Sequence, residues 1–427
     1  MRFSVFQYKL RNLRIKTNRM NIEIITIGDE LLIGQVVDTN SAWMSRKMSG
    51  AGFDVVYITS IKDSKDAIYT AIEDGFGRAD ILLVTGGNGP TKDDITKTTL
   101  CEYFNDKLVF DNEVLENIET LFKERNVALN ELTRNQAFVP QNSTVIQNRV
   151  GTAPVLWFEK NGKILVSMPG VPFEMRWAMQ EEVIPRLAKR FQTKTFLKHV
   201  FYTQGISESG LAMHLNDFEE QLPSGFGLAY LPGGGIIRLR LSVKGDEHNE
   251  EMEKQAYKLK QLLGEYLLAE SEDPLQQLLG NTLKDKALTL SLAESCSGGY
   301  IAHLLTSIAG SSAFFKGGVV SYADSAKVNL LHVQQNTLDM YGAVSQQVVE
   351  EMAQGAIDAF STDCAIAVSG IAGPDGGTED KPVGTVWICT ICKDTVMSKH
   401  YLFGKSRENN IRRSATMAIV QMLRCMG

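Results

Sequence analysis

Residues 81–94 read Ile81-Leu-Leu-Val-Thr85-Gly-Gly-Asn-Gly-Pro-Thr-Lys-Asp-Asp94. A run of apolar and β-branched side chains that stops at glycines is a buried strand emptying into a tight loop. The same rhythm appears upstream in Ile22-Glu-Ile-Ile-Thr-Ile27 and Asp54-Val-Val-Tyr-Ile-Thr59, each followed by an amphipathic stretch. Strands alternating with helical patterns predict the α/β class, with a mainly parallel sheet and helices on both faces, over residues 20–190. In such sheets the ligand lies on loops that leave strand C-termini. Two of these loops stand out, residues 28–34 and residues 86–94.

The second loop carries candidate chemistry. Gly86, Gly87 and Gly89, with Thr91, allow backbone amides to approach a phosphate without side-chain obstruction. Pro90 stiffens the loop, and Asp93 and Asp94 follow as carboxylates of the kind a hard divalent cation needs. Asp29 and Glu30 on the neighbouring loop, with Asp38 and Asn40 beyond, offer further oxygen ligands. The plain alternative is a tight turn followed by helix-capping acids.

Further along the chain the pattern changes. Residues 195–270 combine an alternating strand, Gly235 to Val243, with a charged helical run, His248 to Gly264, and predict a small α+β module. Gly233-Gly-Gly235 reads as a turn. From Pro274 onward Thr289–Ala293, Gly317–Tyr322, Cys364–Ser369 and Val383–Cys392 read as strands among Ala-rich helices. Here Ala293-Glu-Ser-Cys-Ser-Gly-Gly299 places Ser295 on a strand-to-helix turn, near backbone amides able to stabilise an oxyanion. A hydroxyl nucleophile needs a base, and a partly desolvated Lys can serve. Cys296 is the rival nucleophile, but His303, His332 and His400 form no recognisable partner motif for it.

The chain has 427 residues, more than one hydrophobic core usually holds. Three domains are expected, over 20–190, 195–270 and 275–427. With 44% hydrophobic and 22% charged residues the composition is globular, and no run is apolar for the roughly 18 residues a membrane span needs. The net charge of -6 argues against a nucleic-acid-coating protein. Six dispersed cysteines form no disulfide framework, so a reducing cytoplasm is expected. Cys389-Thr-Ile-Cys392 lies inside a strand pattern and lacks the second pair that a zinc site requires. Residues 1–19 hold Arg2, Lys9, Arg11, Arg14, Lys16 and Arg19 and no acid; they read as a disordered upstream extension before Met20, with a presequence or basic arm as the alternative.

Taken together, Gly28-Asp-Glu-Leu-Leu-Ile-Gly-Gln35 with Asp38-Thr-Asn40, the 86–94 loop, and Met168-Pro-Gly-Val-Pro-Phe-Glu-Met175 resemble one family. Gly310-Ser-Ser312, Gly317-Gly-Val-Val-Ser-Tyr322, Lys327, Gly342-Ala-Val-Ser345, Gly370-Ile-Ala-Gly-Pro-Asp-Gly-Gly377 and Lys381-Pro-Val-Gly-Thr385 join the 293–299 string in the same resemblance. That family is the CinA (competence-damage-inducible) proteins. Asn88 and Met168 stand where the family usually has Leu, and Ser297 where it often has Thr.

The resemblance implies a MoaB/MogA-like first domain associated with metal-dependent hydrolysis of ADP-ribose at its pyrophosphate. Asp94 is the shared acid, and Asp93 and Glu30 are further candidate ligands for a divalent ion, alone or with a monovalent cation. It implies a KH-like middle domain, which lacks a Gly-x-x-Gly loop here and is expected to be a spacer or dimer element. For the last domain it implies a PncC-type amidohydrolase, cofactor-free, converting nicotinamide mononucleotide to nicotinate mononucleotide and ammonia. Ser295 takes the nucleophile's place, Lys327 the base's, and Tyr322 that of the residue assisting proton transfer. Candidates for the phosphate cradle are Gly310, Ser311 and Ser312, the 370–377 loop with Gly373, and Arg407, for which Lys405, Arg412 and Arg413 could substitute. A homodimer without nucleic-acid or membrane partners is the matching expectation. The competing reading is a non-catalytic nucleotide- or molybdopterin-binding regulator linked to competence or DNA damage.

Overall fold

The computed structural model describes residues 20–91, 94–191 and 195–427. The expectations for residues 1–19 and for Asp93 lie outside the described residues. Strands follow in the order β1 (Asn21–Ile27), β2 (Asp54–Ile61), β3 (Ile81–Thr85), β4 (Leu108–Phe110), β5 (Phe138–Pro140), β6 (Thr144–Ile146), β7 (Val155–Lys160), β8 (Lys163–Met168), β9 (Phe196–Thr203), β10 (Gly227–Gly233), β11 (Ile236–Lys244), β12 (Leu267–Glu270), β13 (Leu290–Glu294), β14 (Phe315–Val320), β15 (Cys364–Gly370), β16 (Thr385–Cys392) and β17 (Thr395–Leu402). The chain forms two compact units, one running up to Phe196 and including Lys244–Asp246, the other comprising Leu197–Val243 and Glu247–Gly427.

The first unit holds a sheet ordered β2-β1-β3-β8-β7-β6. Its first four strands are parallel, and β7 and β6 close one side antiparallel. Alternation along a strand explains how both faces are buried. Ile22, Ile24, Ile81 and Leu83 pack with Met44 and Met48 on one face, while Ile25, Ile27, Leu82 and Val84 pack with Ile68 and Ile72 on the other. The one charge within β1, Glu23, is fully buried and is held by two hydrogen bonds from Arg78, at 2.7 and 2.6 Å, and one from Thr59 at 2.6 Å.

The second unit contains two sheets, β10-β11-β9-β12 and β14-β13-β15-β16-β17. Gly234 and Gly235 make the turn between β10 and β11. In the larger sheet β14, β13 and β15 are parallel, and β16 and β17 continue antiparallel. Leu290, Leu292, Ile366 and Val368 face the helices Leu275–Asp285 and Arg407–Cys425, whereas Ala293, Ala365 and Ala367 face the helix Gln346–Phe360. Tyr202 and Ile236 of the smaller sheet lie in the first of these cores, and the Tyr202 hydroxyl donates to the Asp273 carbonyl at 2.6 Å. Among the described residues no helix is long and apolar enough to cross a membrane.

Candidate active site

β13 delivers Ser295 to the C-terminal edge of its sheet, where the Ser295 amide donates to the Val368 carbonyl at 2.9 Å. Gly298 and Gly299, at φ of 61° and 91°, then turn the chain into the helix Tyr300–Thr306. Only glycine adopts that left-handed pair cheaply. The turn is clamped from below by Glu294. Its carboxylate, 1% exposed, accepts from the amides of Gly299 and Ile301 at 3.1 Å and of Ala302 at 2.8 Å. Those three amides are bound to Glu294 and do not face an oxyanion. The amides of Cys296 and Ser297 stand outside that clamp.

The Ser295 hydroxyl is 8% exposed and makes no hydrogen bond among the described residues. Lys327, on the helix Asp324–Leu331, is 1% exposed. Its ammonium donates to the Ser321 carbonyl at 3.0 Å, the Asp324 carboxylate at 3.1 Å and, more weakly, the Tyr322 carbonyl at 3.5 Å. It makes no direct hydrogen bond to Ser295.

Arg407 gathers three separate segments. It donates to the Tyr322 hydroxyl at 2.9 Å and to the Gly373 carbonyl at 2.8 Å, which brings Tyr322, Gly373 and Arg407 together. Two of the three substitute cations are engaged elsewhere, while the Lys405 backbone lies beside Gly373. Arg412 pairs with Glu408 at 2.8 Å, and Arg413 lies over the Phe403 ring at 4.9 Å. Buried Asn410 holds the bracket together by donating to the carbonyls of Ala372 at 2.9 Å and Gly404 at 2.8 Å.

Gly310, Ser311 and Ser312 lie elsewhere. The parallel register pairs Glu294 with Val320 and Leu290 with Phe315, and the Leu290 amide donates to the Phe314 carbonyl at 2.8 Å. Residues 310–312 therefore sit at the N-terminal end of β14, about 16 Å of strand away from Ser295. Within one chain they do not belong to this cradle. Cys296 faces the opposite core, where burial pushes its thiol up to about 12. A thiol so protonated is a poor nucleophile. His303 stacks on Tyr300 and His400 tilts against Trp387, so neither is presented as its base.

The 86–94 loop of the first unit is closed on itself. The Asp94 carboxylate accepts from the Gly89 amide at 2.7 Å, from the Thr91 amide at 2.9 Å and from the Thr91 hydroxyl. The Gly86 amide donates to the Met168 carbonyl at 3.3 Å, and the Gly87 carbonyl accepts from the Thr96 amide at 3.0 Å. Packing accounts for the glycines: a Cβ on Gly86 would lie 2.1 Å from the Ile27 carbonyl oxygen, and one on Gly87 2.1 Å from the Thr96 hydroxyl. Asn88 ties the loop to β8 through the Ser167 hydroxyl at 2.8 Å and the Met168 carbonyl at 2.9 Å. Glu30 is exposed and folds back over Gly28. Among the described residues no three His, Cys, Asp or Glu side chains converge to hold a metal. Asp94 and Glu30 thus form no assembled ligand set.

Sequence reasoning missed Glu294, Asn410, Ser321 and Asp63. Glu294 stands in the quoted 293–299 string, yet its partners are backbone amides, which no residue type marks. Asp63, on the loop after β2, presents its carboxylate to Gly87.

These features define a class: an α/β protein that joins a glycine-loop domain to a second domain built around a serine on a strand-to-helix turn. Comparison with known proteins makes this specific. Residues 23–189 match the probable molybdopterin binding domain and residues 272–426 the CinA C-terminal domain. The chain is 42% identical to a CinA-like protein of Cytophaga hutchinsonii, over 94% of this chain and 97% of that one. It is 39% identical to a putative competence-damage inducible protein of Caldicellulosiruptor saccharolyticus, over 95% and 98%. A solved structure, the competence/damage inducible protein CihA of Agrobacterium tumefaciens, is 37% identical over 35% of this chain and 93% of its own, with a TM-score of 0.35. The chain belongs to the CinA family.

Proposed function

We propose that the C-terminal domain is a metal-independent Ser-Lys amidohydrolase that converts nicotinamide mononucleotide to nicotinate mononucleotide and ammonia. The observation that carries this reading is the unengaged, nearly buried hydroxyl of Ser295 on its glycine turn, with buried Lys327 on the neighbouring helix. Ser295 attacks the carboxamide carbon, ammonia leaves, and water hydrolyses the acyl-enzyme. Lys327 is the base, and the amides of Cys296 and Ser297 are the candidate oxyanion donors. Arg407, fixed by Tyr322 and Gly373, presents a guanidinium suited to the 5′-phosphate.

For the first domain the family resemblance supplies ADP-ribose hydrolysis with a divalent ion, alone or with a monovalent cation. The described residues do not fit that ion as they stand, because Asp94 is satisfied by its own loop, so no step is derived through it. A homodimer working on these two nucleotides in the cytoplasm, where buried free thiols persist, completes the proposal.

The test is release of ammonia and nicotinate mononucleotide from nicotinamide mononucleotide by the purified full chain, with and without EDTA, beside Ser295→Ala. Release that survives EDTA and falls by about 10⁴-fold in Ser295→Ala supports the reading. No release by the native chain overturns it in favour of a nucleotide-binding regulator.

A further inference from the structure

Lys327 and Ser295 share no hydrogen bond, and two hydroxyls close to them in the chain or the sheet, those of Ser297 and Ser321, are buried with no hydrogen-bond partner among the described residues; Ser321 is the one that Lys327 also touches, through its carbonyl. The Ser321 hydroxyl is fully buried and has no hydrogen-bond partner, a condition that folded proteins rarely leave unmet. Its position follows from register. Glu294 pairs with Val320, and the Ser321 amide continues the ladder by donating to the Glu294 carbonyl at 2.8 Å. Ser295 and Ser321 are thus neighbours on adjacent strands, about 5 Å apart at the backbone.

Side-chain alternation puts both hydroxyls on one face. Ala293 and Val319 pack into the core beneath the helix Gln346–Phe360, so two residues on, Ser295 and Ser321 point the same way. Cys296 confirms the phase, since it enters the opposite core with Leu290 and Leu292. The helix bearing Lys327 covers the Ala293 face, with Leu331 in that core and Val328 against it. Lys327 already touches Ser321 through its carbonyl at 3.0 Å. Lys327 Nζ is held by the carbonyls of Ser321 and Tyr322 and by the Asp324 carboxylate, so its 3.1 Å contact to Asp324 is the one given up when Nζ accepts a proton from Ser321.

We propose that Ser321 is the link in a Ser295–Ser321–Lys327 proton relay, an inference that rests on the Ser-Lys reading above. As the Ser295 oxygen bonds to the carboxamide carbon, its proton passes to the Ser321 oxygen while the Ser321 proton passes to the Lys327 lone pair. The carbonyl π pair moves onto oxygen. When that pair returns, the C–N bond breaks and the relay runs backward to protonate the departing nitrogen, which leaves as ammonia. Water then adds to the ester carbon, its proton enters the same relay, and cleavage of the ester C–O bond returns a proton to Ser295. Lys327 ends neutral, and the acid is released.

The experiment compares the native full chain with Ser321→Ala and Ser321→Thr. It measures kcat and KM for nicotinamide mononucleotide, the rate of Ser295 labelling by a fluorophosphonate probe, and the melting temperature. The expected result for Ser321→Ala is a kcat about 100-fold lower with KM and melting temperature unchanged, labelling slowed in parallel, and recovery of most of the rate in Ser321→Thr. Native rates in Ser321→Ala overturn the relay. So does loss in both variants accompanied by a lower melting temperature, which marks a packing role. If the native chain does not deamidate nicotinamide mononucleotide, labelling still decides: slowing in Ser321→Ala upholds the relay and removes only the substrate. An unlabelled Ser295 in the native chain overturns both.

Discussion

The loop after β3 and the turn after β13 occupy equivalent places, each just past the C-terminal end of a parallel strand inside its sheet, and they use their polar groups in opposite ways. In the first, Asp94 draws in two amides and a hydroxyl of its own loop, and Asn88 fastens that loop to β8. In the second, Glu294 takes the structural work onto the far face of the turn, and the buried hydroxyls of Ser297 and Ser321 keep no partner among the described residues. A glycine-rich loop is therefore not by itself a ligand site. Where the carboxylate is spent inside the loop, the glycines serve closure; where it is spent behind the turn, the front is left for chemistry.

Three perturbations would sharpen or break this contrast. The largest effect is expected from Arg407→Ala, which removes the cation that joins Tyr322 to Gly373. KM for nicotinamide mononucleotide should rise about 100-fold with little change in kcat, as steady-state kinetics would show. An unchanged KM would place the phosphate elsewhere.

Next comes Glu294→Gln, which leaves three backbone amides facing a group with half the acceptor capacity and no charge. Denaturant unfolding should register a loss of about 2 kcal/mol in the second unit. A fully stable variant would show that the clamp is dispensable and that the contrast drawn above is accidental.

The smallest effect concerns Lys97, at the start of the helix that follows the glycine loop. Among the described residues it meets only the carbonyls of Asn135 and Gln136 and the Gln136 side-chain oxygen at 3.4–3.5 Å, and burial pulls its ammonium down to about 8. Above that pH the folded chain has lost the proton, whereas the unfolded chain keeps it up to about the ordinary value of 10.5. Stability of the first unit should therefore rise with pH between about 8 and 10.5, and the penalty is fully present below 8. Lys97→Met should raise the melting temperature of that unit by a few degrees at pH 7 and flatten the rise, by thermal scans across that range. A rise that persists in Lys97→Met would assign it to another group.

Much of the fold was legible because its signals are local. The strands β1, β3, β13 and β15 announce themselves by apolar runs ending at Gly, Ser or Thr, and Gly298 and Gly299 mark the turn because no other residue takes their φ values cheaply. Residues 310–312 misled because a Gly-Ser-Ser string looks alike at either end of a strand. The linear order does not say which end faces the nucleophile until β13 and β14 are registered.

The sequence by itself determined the α/β class and the family, and it named Ser295, Lys327, Tyr322 and Arg407 as the candidates of the proposed site, because residue type and spacing are properties of the chain. Only the tertiary structure decided which of these groups are free. Whether Asp94 closes its own loop and whether Glu294 holds the turn from behind both depend on hydrogen bonds to backbone groups. Every residue carries those groups, so no pattern of side chains can reveal them in advance.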